Sequence, residues 1–208
     1  MFSLQTIFGK GDRFYGLLEG AAEAAHQSTR ALTVLLAARG VSSLDEFNLA
    51  RIREKEIAAQ ISRELIDTFV TALEREDIEA LATALYKIPK TVEKFAERYA
   101  LVASRLGDVD FAPRAAMLER AGEVVVQMVR QLRGGLQLEP MKAFNDRMHA
   151  IESEADRLIL ELYRNAYDHE HEPMRFLIRK DLFEILEKAI DRCRDACNVV
   201  YQIALKNN

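Results

Sequence analysis

The 208-residue sequence predicts an all-α protein of six antiparallel helices, built as a tandem pair of three-helix bundles. Three observations carry this. Ala, Leu, Glu and Arg dominate, beside only 9 Gly, 4 Pro and no Trp, the usage of a helical chain. Apolar residues recur with helical period almost everywhere, and no segment alternates with period two. The chain also repeats its own elements in one order.

The first helix is expected from about Asp12 to Ala38, stopping at Gly40. Ser43 and Asp45 open the second, whose apolar stripe is Leu49, Ile52, Ile61, Leu65, Ile66 and Phe69. The third runs from near Glu76 to Leu106 and ends at Gly107. Pro113, Pro140 and Pro173 mark the next three starts, where a first-turn N–H is unpaired anyway. Gly134 and Gly135 end the fourth helix. Pro89 falls inside the third and is expected to kink it. Short loops between long helices predict antiparallel neighbours.

The repeat has three anchors. Leu18-Glu19-Gly20-Ala21-Ala22-Glu23 returns as Leu118-Glu119-Arg120-Ala121-Gly122-Glu123. The helix carrying Glu64-Leu65 returns 97 positions later at Glu161-Leu162. Arg75-Glu76-Asp77-Ile78 returns as Arg179-Lys180-Asp181-Leu182. The expected halves are residues 1–107 and 108–208.

Charge narrows the function. Twenty-nine Lys and Arg stand against 33 Asp and Glu, a net charge of −4, which argues against nucleic-acid binding through phosphates. No apolar run approaches the ~18 residues of a membrane span, and the opening MFSLQTIFGKGDRF lacks a signal peptide's long apolar stretch. The expected location is therefore cytoplasmic, with at most peripheral membrane contact. Cys193 and Cys197, four apart on a helix, suit reduced core thiols.

Placed at roughly 100° per residue, Leu182, Ile185, Leu186, Ala189, Cys193, Ala196 and Val200 form the apolar face of the last helix. Glu184, Glu187, Asp191 and Asp195 gather on the other side. Like charges at i,i+4 cost a few tenths of a kcal/mol per pair, so the row asks for a reason. On the fifth helix Asn145, His149, Glu152 and Asp156 flank a core face of Phe144, Met148, Ile151, Ala155 and Leu158. Carboxylates with one imidazole suit a cation such as Mg, Mn, Fe or Zn; a solvated charged face is the plainer alternative. Lys87, Lys90, Lys94 and Arg98 make a basic row on the third helix, open to an acidic partner, an anion, lipid head groups or ordinary solvation. Pairing of that row with the acidic stripe of a second copy would give a homodimer.

Weaker candidates are few. Glu23-x-x-His26 is half of a ferritin-like di-iron pattern, the motif of a metal-dependent helical enzyme or metal store, which needs a second copy and further Glu ligands. His26 and His149 could carry a phosphoryl group, but nothing around them is distinctive. His169 and His171 sit before the last helix and could bind metal adventitiously. Phe2, Leu4, Ile7 and Phe8 could pack on the bundle or touch a membrane. No nucleophile set or Gly-rich phosphate loop stands out.

The MFSL opening with Asp12-Arg13-Phe14-Tyr15, the string His149-Ala-Ile-Glu-Ser-Glu-Ala-Asp156, and Arg179 to Glu184 (Arg-Lys-Asp-Leu-Phe-Glu) together resemble the Pit-accessory branch of the PhoU-like family. The resemblance spans nearly the whole chain. It implies a non-enzymatic accessory protein of inorganic phosphate transport that contacts a Pit-type transporter. It also implies metal binding through Glu/Asp-x-x-x-Asp motifs, matched by Glu152–Asp156, Glu187–Asp191 and Asp191–Asp195. The first half departs: Lys55 and Ala59 stand opposite Glu152 and Asp156, and Ala80, Thr83, Lys87 and Thr91 stand opposite the acidic row of the last helix.

Overall fold

The computed structural model describes residues 4–38, 43–107, 109–135, 137–169 and 171–207, with side chains from residue 13 onward except that of His169. Six helices follow in order: α1 Leu4–Ala37, α2 Asp45–Asp67, α3 Arg75–Val102, α4 Ala112–Gln131, α5 Leu138–His169 and α6 Pro173–Lys206. No strand occurs among the described residues. The expected all-α, six-helix architecture is the one found.

Local chemistry sets the ends. The Glu172 carboxylate accepts from the Met174 and Arg175 N–H groups at 3.1 and 2.7 Å, with Pro173 in the first helical position, so α6 starts capped. At α4 the Asp110 carboxylate, one residue ahead of the N-cap Phe111, accepts from the Ala112 N–H at 2.9 Å. Gly107 and Gly135 take φ values of +64° and +100°, the left-handed conformation that follows a helix end. α1 starts at Leu4 rather than Asp12, running through Gly9 and Gly11, because a single glycine costs only about 1 kcal/mol in a helix. α3 likewise continues past Pro89 and ends in a 3-10 turn over Ala103–Arg105. Gly40 and the Phe2 side chain, like those of Leu4, Ile7 and Phe8, lie outside the description.

Helices α1, α2 and α3 pack on one another, as do α4, α5 and α6, and the halves join through α1 against α4 and α3 against α6. One apolar core draws on all six helices. Phe111, at the link between the halves, sits 5.7 Å from Phe95 and 4.8 Å from Phe183, tying α3, α4 and α6 in one aromatic cluster.

The sequence repeat now has a physical reading. Leu18 and Leu118 are both fully buried, as are Ile78 and Leu182. Arg75 donates to the Leu65 and Thr68 carbonyls, and its counterpart Arg179 donates to the Leu106 carbonyl. Both guanidiniums satisfy carbonyls left over where a preceding helix ends. Asp77 pairs with Lys206 at one end of the antiparallel α3–α6 contact, and its counterpart Asp181 pairs with Arg98 at the other. The Arg-x-Asp anchor is therefore structural in both halves.

The α1–α4 contact is close. A Cβ on Gly122 would meet Thr29 Oγ1 at 2.8 Å and the His26 ring at 3.3 Å. Thr29 is fully buried and its hydroxyl is committed to the His26 carbonyl at 2.8 Å, so it has little room to yield. Gly122→Ala is expected to destabilise the protein by about 1–3 kcal/mol, read as a lower urea midpoint; an unchanged midpoint would contradict this packing.

The second helix corrects the sequence reading. Ile61 and Leu65 are buried as expected, but Leu49, Ile52 and Ile66 are exposed, and Phe69, beyond the helix end, is 99% exposed. The inner face instead carries Phe47, Ala50, Arg51, Glu54, Ile61 and Leu65. A buried charge is tolerated when paired and hydrogen-bonded, and that condition is met. Arg51 Nη1 donates to Glu54 at 2.9 Å, Nε to Glu93 at 3.1 Å and Nη2 to the Tyr86 hydroxyl at 3.1 Å.

Candidate functional site

α5 and α6 run antiparallel, and α6 buries Leu182, Ile185, Leu186, Ala189, Cys193, Ala196 and Val200 as expected. With that face fixed, Glu187, Asp191 and Asp195 fall half-buried along the α6 seam, with α5's Glu152 and Asp156 close enough to be felt, rather than on an outer surface. Glu184 is exposed at one end, where it accepts from the Tyr163 hydroxyl at 3.2 Å and from Lys180. His149 is exposed at the other end, with Nδ1 3.3 Å from Glu152.

A cation from the chain itself stands among these groups. The Arg194 guanidinium bonds Glu152 and lies 3.3 Å from Asp191 and 3.5 Å from Asp195. Arg192 holds the second oxygen of Asp195 at 2.9 Å. Even so, partial burial holds the Asp191 carboxyl above its ordinary range; Arg194 opposes that, while Glu152, Asp195 and Asp156 add to it. Burial also raises Glu187, reinforced by Asp191, Asp156 and Glu184. The seam is an acidic surface short of positive charge, partly neutralised by Arg194 and Arg192.

The resemblance implies a metal here. Among the described residues no three His, Cys, Asp or Glu side chains converge to hold one, and a guanidinium sits between Glu152, Asp191 and Asp195. As placed, these residues do not fit a resident ion. The sequence reading took the acidic row without Arg194. The signal was present, since Arg194 is three residues from Asp191, a spacing that puts the two on one face.

The other candidates are placed as follows. Cys193 and Cys197 are fully buried, and burial pushes the Cys193 thiol up to about 12 and Cys197 well above its usual value; both are thiols of the core. Glu23 is held by Arg130 on α4, and His26 lies half-buried against α4 beside Gly122. His171 is exposed before α6. Lys87, Lys90 and Lys94 are exposed as a row, but Arg98 pairs with Asp181 and belongs to the α3–α6 join. The buried Arg51 network was missed. With the repeat offset of 97, Arg51 and Glu54 fall on Met148 and Ile151, both buried apolar residues of the second half; that mismatch was the available signal.

No protein-family model matches the chain. It is 22% identical over 210 aligned positions to the "Putative pit accessory protein" of Rhizobium meliloti, covering 98% of this chain and 97% of that one. It is 23% identical over 146 residues to the "UPF0111 protein YkaA" of Bacillus subtilis, 70% of each chain. A crystal structure of a "putative PhoU-like phosphate regulatory protein" from Shewanella oneidensis superposes with a TM-score of 0.79 at 15% identity, over 93% of this chain and 99% of the other. The PhoU-like fold expected from the sequence is the fold found.

Proposed function

We propose that this chain is a non-enzymatic regulator of inorganic phosphate transport, acting by docking on a transporter of the Pit type. The observation that carries this is the end-to-end match to the pit accessory protein, together with a fold shared with the PhoU-like phosphate regulatory protein. No helix among the described residues is long and apolar enough to cross a membrane, so contact with a bilayer is proposed to come through the partner. The α5–α6 seam is the surface best suited to docking. Its charges are held in register by Arg194, Arg192 and Lys180, which limits the ordering cost of association. On this reading the seam draws its positive charge from Arg194, and a divalent ion enters among Glu152, Asp156, Glu184, Glu187, Asp191, Asp195 and His149 only by displacing the guanidinium.

The test is co-purification from membranes containing a Pit-type transporter. The expected result is retention at low salt and release at high salt, because exposed charges are screened. Glu184→Lys combined with Glu187→Lys should abolish retention. Failure to co-purify at any salt would overturn the docking.

A further inference from the structure

A second charged feature lies on the other flank of α6 and shares only Arg192 with the seam. Lys87, Lys90 and Lys94 of α3 form one edge of a groove of about 450 Å³, and Lys188 and Arg192 of α6 form the other. Two carboxylates share it, Glu93 and Glu97. Glu93 is already held by Arg51, so it does not neutralise the lysines in full.

Two facts make this more than solvated surface. The chain has more acids than bases, so intramolecular partners are plentiful. Yet among the described residues Lys87, Lys94 and Lys188 have no carboxylate within ion-pair distance, and Lys90 has only the Tyr86 ring, 6.0 Å away. The cations also come from two helices and converge across a concavity, where their fields add. The α3 row is about 10 Å long at 1.5 Å rise per residue.

The ligand class follows. Every residue lining the groove except Ile185 is charged or polar, so recognition rests on charge, and ammonium groups bind phosphate as point charges. The length exceeds what one tetrahedral oxyanion needs, and the volume is too small for a macromolecular element. We propose that the α3–α6 groove binds a phosphate-bearing anion with two or more phosphoryl groups in a row. Such a ligand would be either a free oligophosphate or phosphate head groups presented by a lipid surface. This goes beyond the transport reading and does not depend on it.

The test is calorimetric titration of the full chain with tripolyphosphate, and with sulfate at matched ionic strength. Tripolyphosphate is expected to bind at least ten-fold more tightly than sulfate. Lys90→Gln with Lys188→Gln, both exposed and far from the core, should weaken it at least ten-fold with an unchanged circular dichroism spectrum. Lys142→Gln on α5 should leave it unaltered. Co-sedimentation with phosphatidylglycerol vesicles separates the sources: binding lost in the double variant and competed by tripolyphosphate assigns head groups, while protein left in the supernatant assigns the free anion. Tripolyphosphate binding no tighter than sulfate, or undiminished in the double variant, would overturn the site.

Discussion

Replacing Arg51 by Met should destabilise the protein by about 3–5 kcal/mol, because it strands Glu54 in the interior without its cation. Arg51 and Glu54 are 5% and 1% exposed, so solvent offers no substitute. Adding Glu54→Ile should recover most of the loss, since the pair would then read Met and Ile, as the equivalent positions Met148 and Ile151 do. The pH dependence gives an independent check. Burial raises the Glu54 carboxyl from 4.5 to about 7, against the opposing pull of Arg51. A carboxyl raised on folding binds its proton more tightly in the folded state, so its contribution is full below pH 4.5 and lost as pH climbs through 7. Between pH 8 and pH 5 the wild type should therefore gain on the order of 2 kcal/mol from this group. Glu54→Gln should remove that slope, and the Arg51→Met penalty should be smaller at pH 5 than at pH 8. Equal urea midpoints for wild type and Arg51→Met at pH 8 would refute the buried-pair account.

The second large effect belongs to Arg194. Arg194→Met removes the guanidinium from Glu152, Asp191 and Asp195 and leaves their charges facing one another. Asp191 loses the one influence that lowers its pKa, so in the variant its carboxyl should rise further above its ordinary range. It should also gain affinity for a hard divalent ion, at least ten-fold over wild type when Mn²⁺ is titrated calorimetrically, because oxygen-rich clusters suit such ions. Against the effect of burial, Arg194 is itself raised by its bond to Glu152 and by the neighbouring carboxylates; deprotonation of the guanidinium is therefore not a route to freeing the seam. Wild-type protein that binds Mn²⁺ as tightly as the variant would show that the guanidinium does not compete for the site.

How far the sequence could be read divides along the same residues. The apolar face of α6 was legible because its period is unbroken, and the acidic row followed from the same wheel. The inner face of α2 was not, because Arg51 is satisfied by Tyr86 and Glu93, which stand 35 and 42 residues away on α3. A pattern reading that assigns charges outward must turn such a helix over, and it placed Leu49, Ile52 and Ile66 inside. The seam was half legible: its carboxylates were found, but the bond between Arg194 and Glu152 also spans 42 residues and depends on how α5 meets α6. The basic row lost Arg98 for the same reason, to Asp181 on α6, and gained Lys188 and Arg192 only once α3 and α6 lay side by side. In each case local period decided the helix and tertiary pairing decided which charges remained available.

The central claim is regulation of phosphate transport by contact, and phosphate uptake measures it most directly. A Pit-type transporter reconstituted in vesicles, with this protein added to the face that docks it, should take up labelled phosphate at a rate changed at least two-fold. The Glu184→Lys, Glu187→Lys variant should leave the rate of the transporter alone. An uptake rate indifferent to saturating wild-type protein would contradict the account.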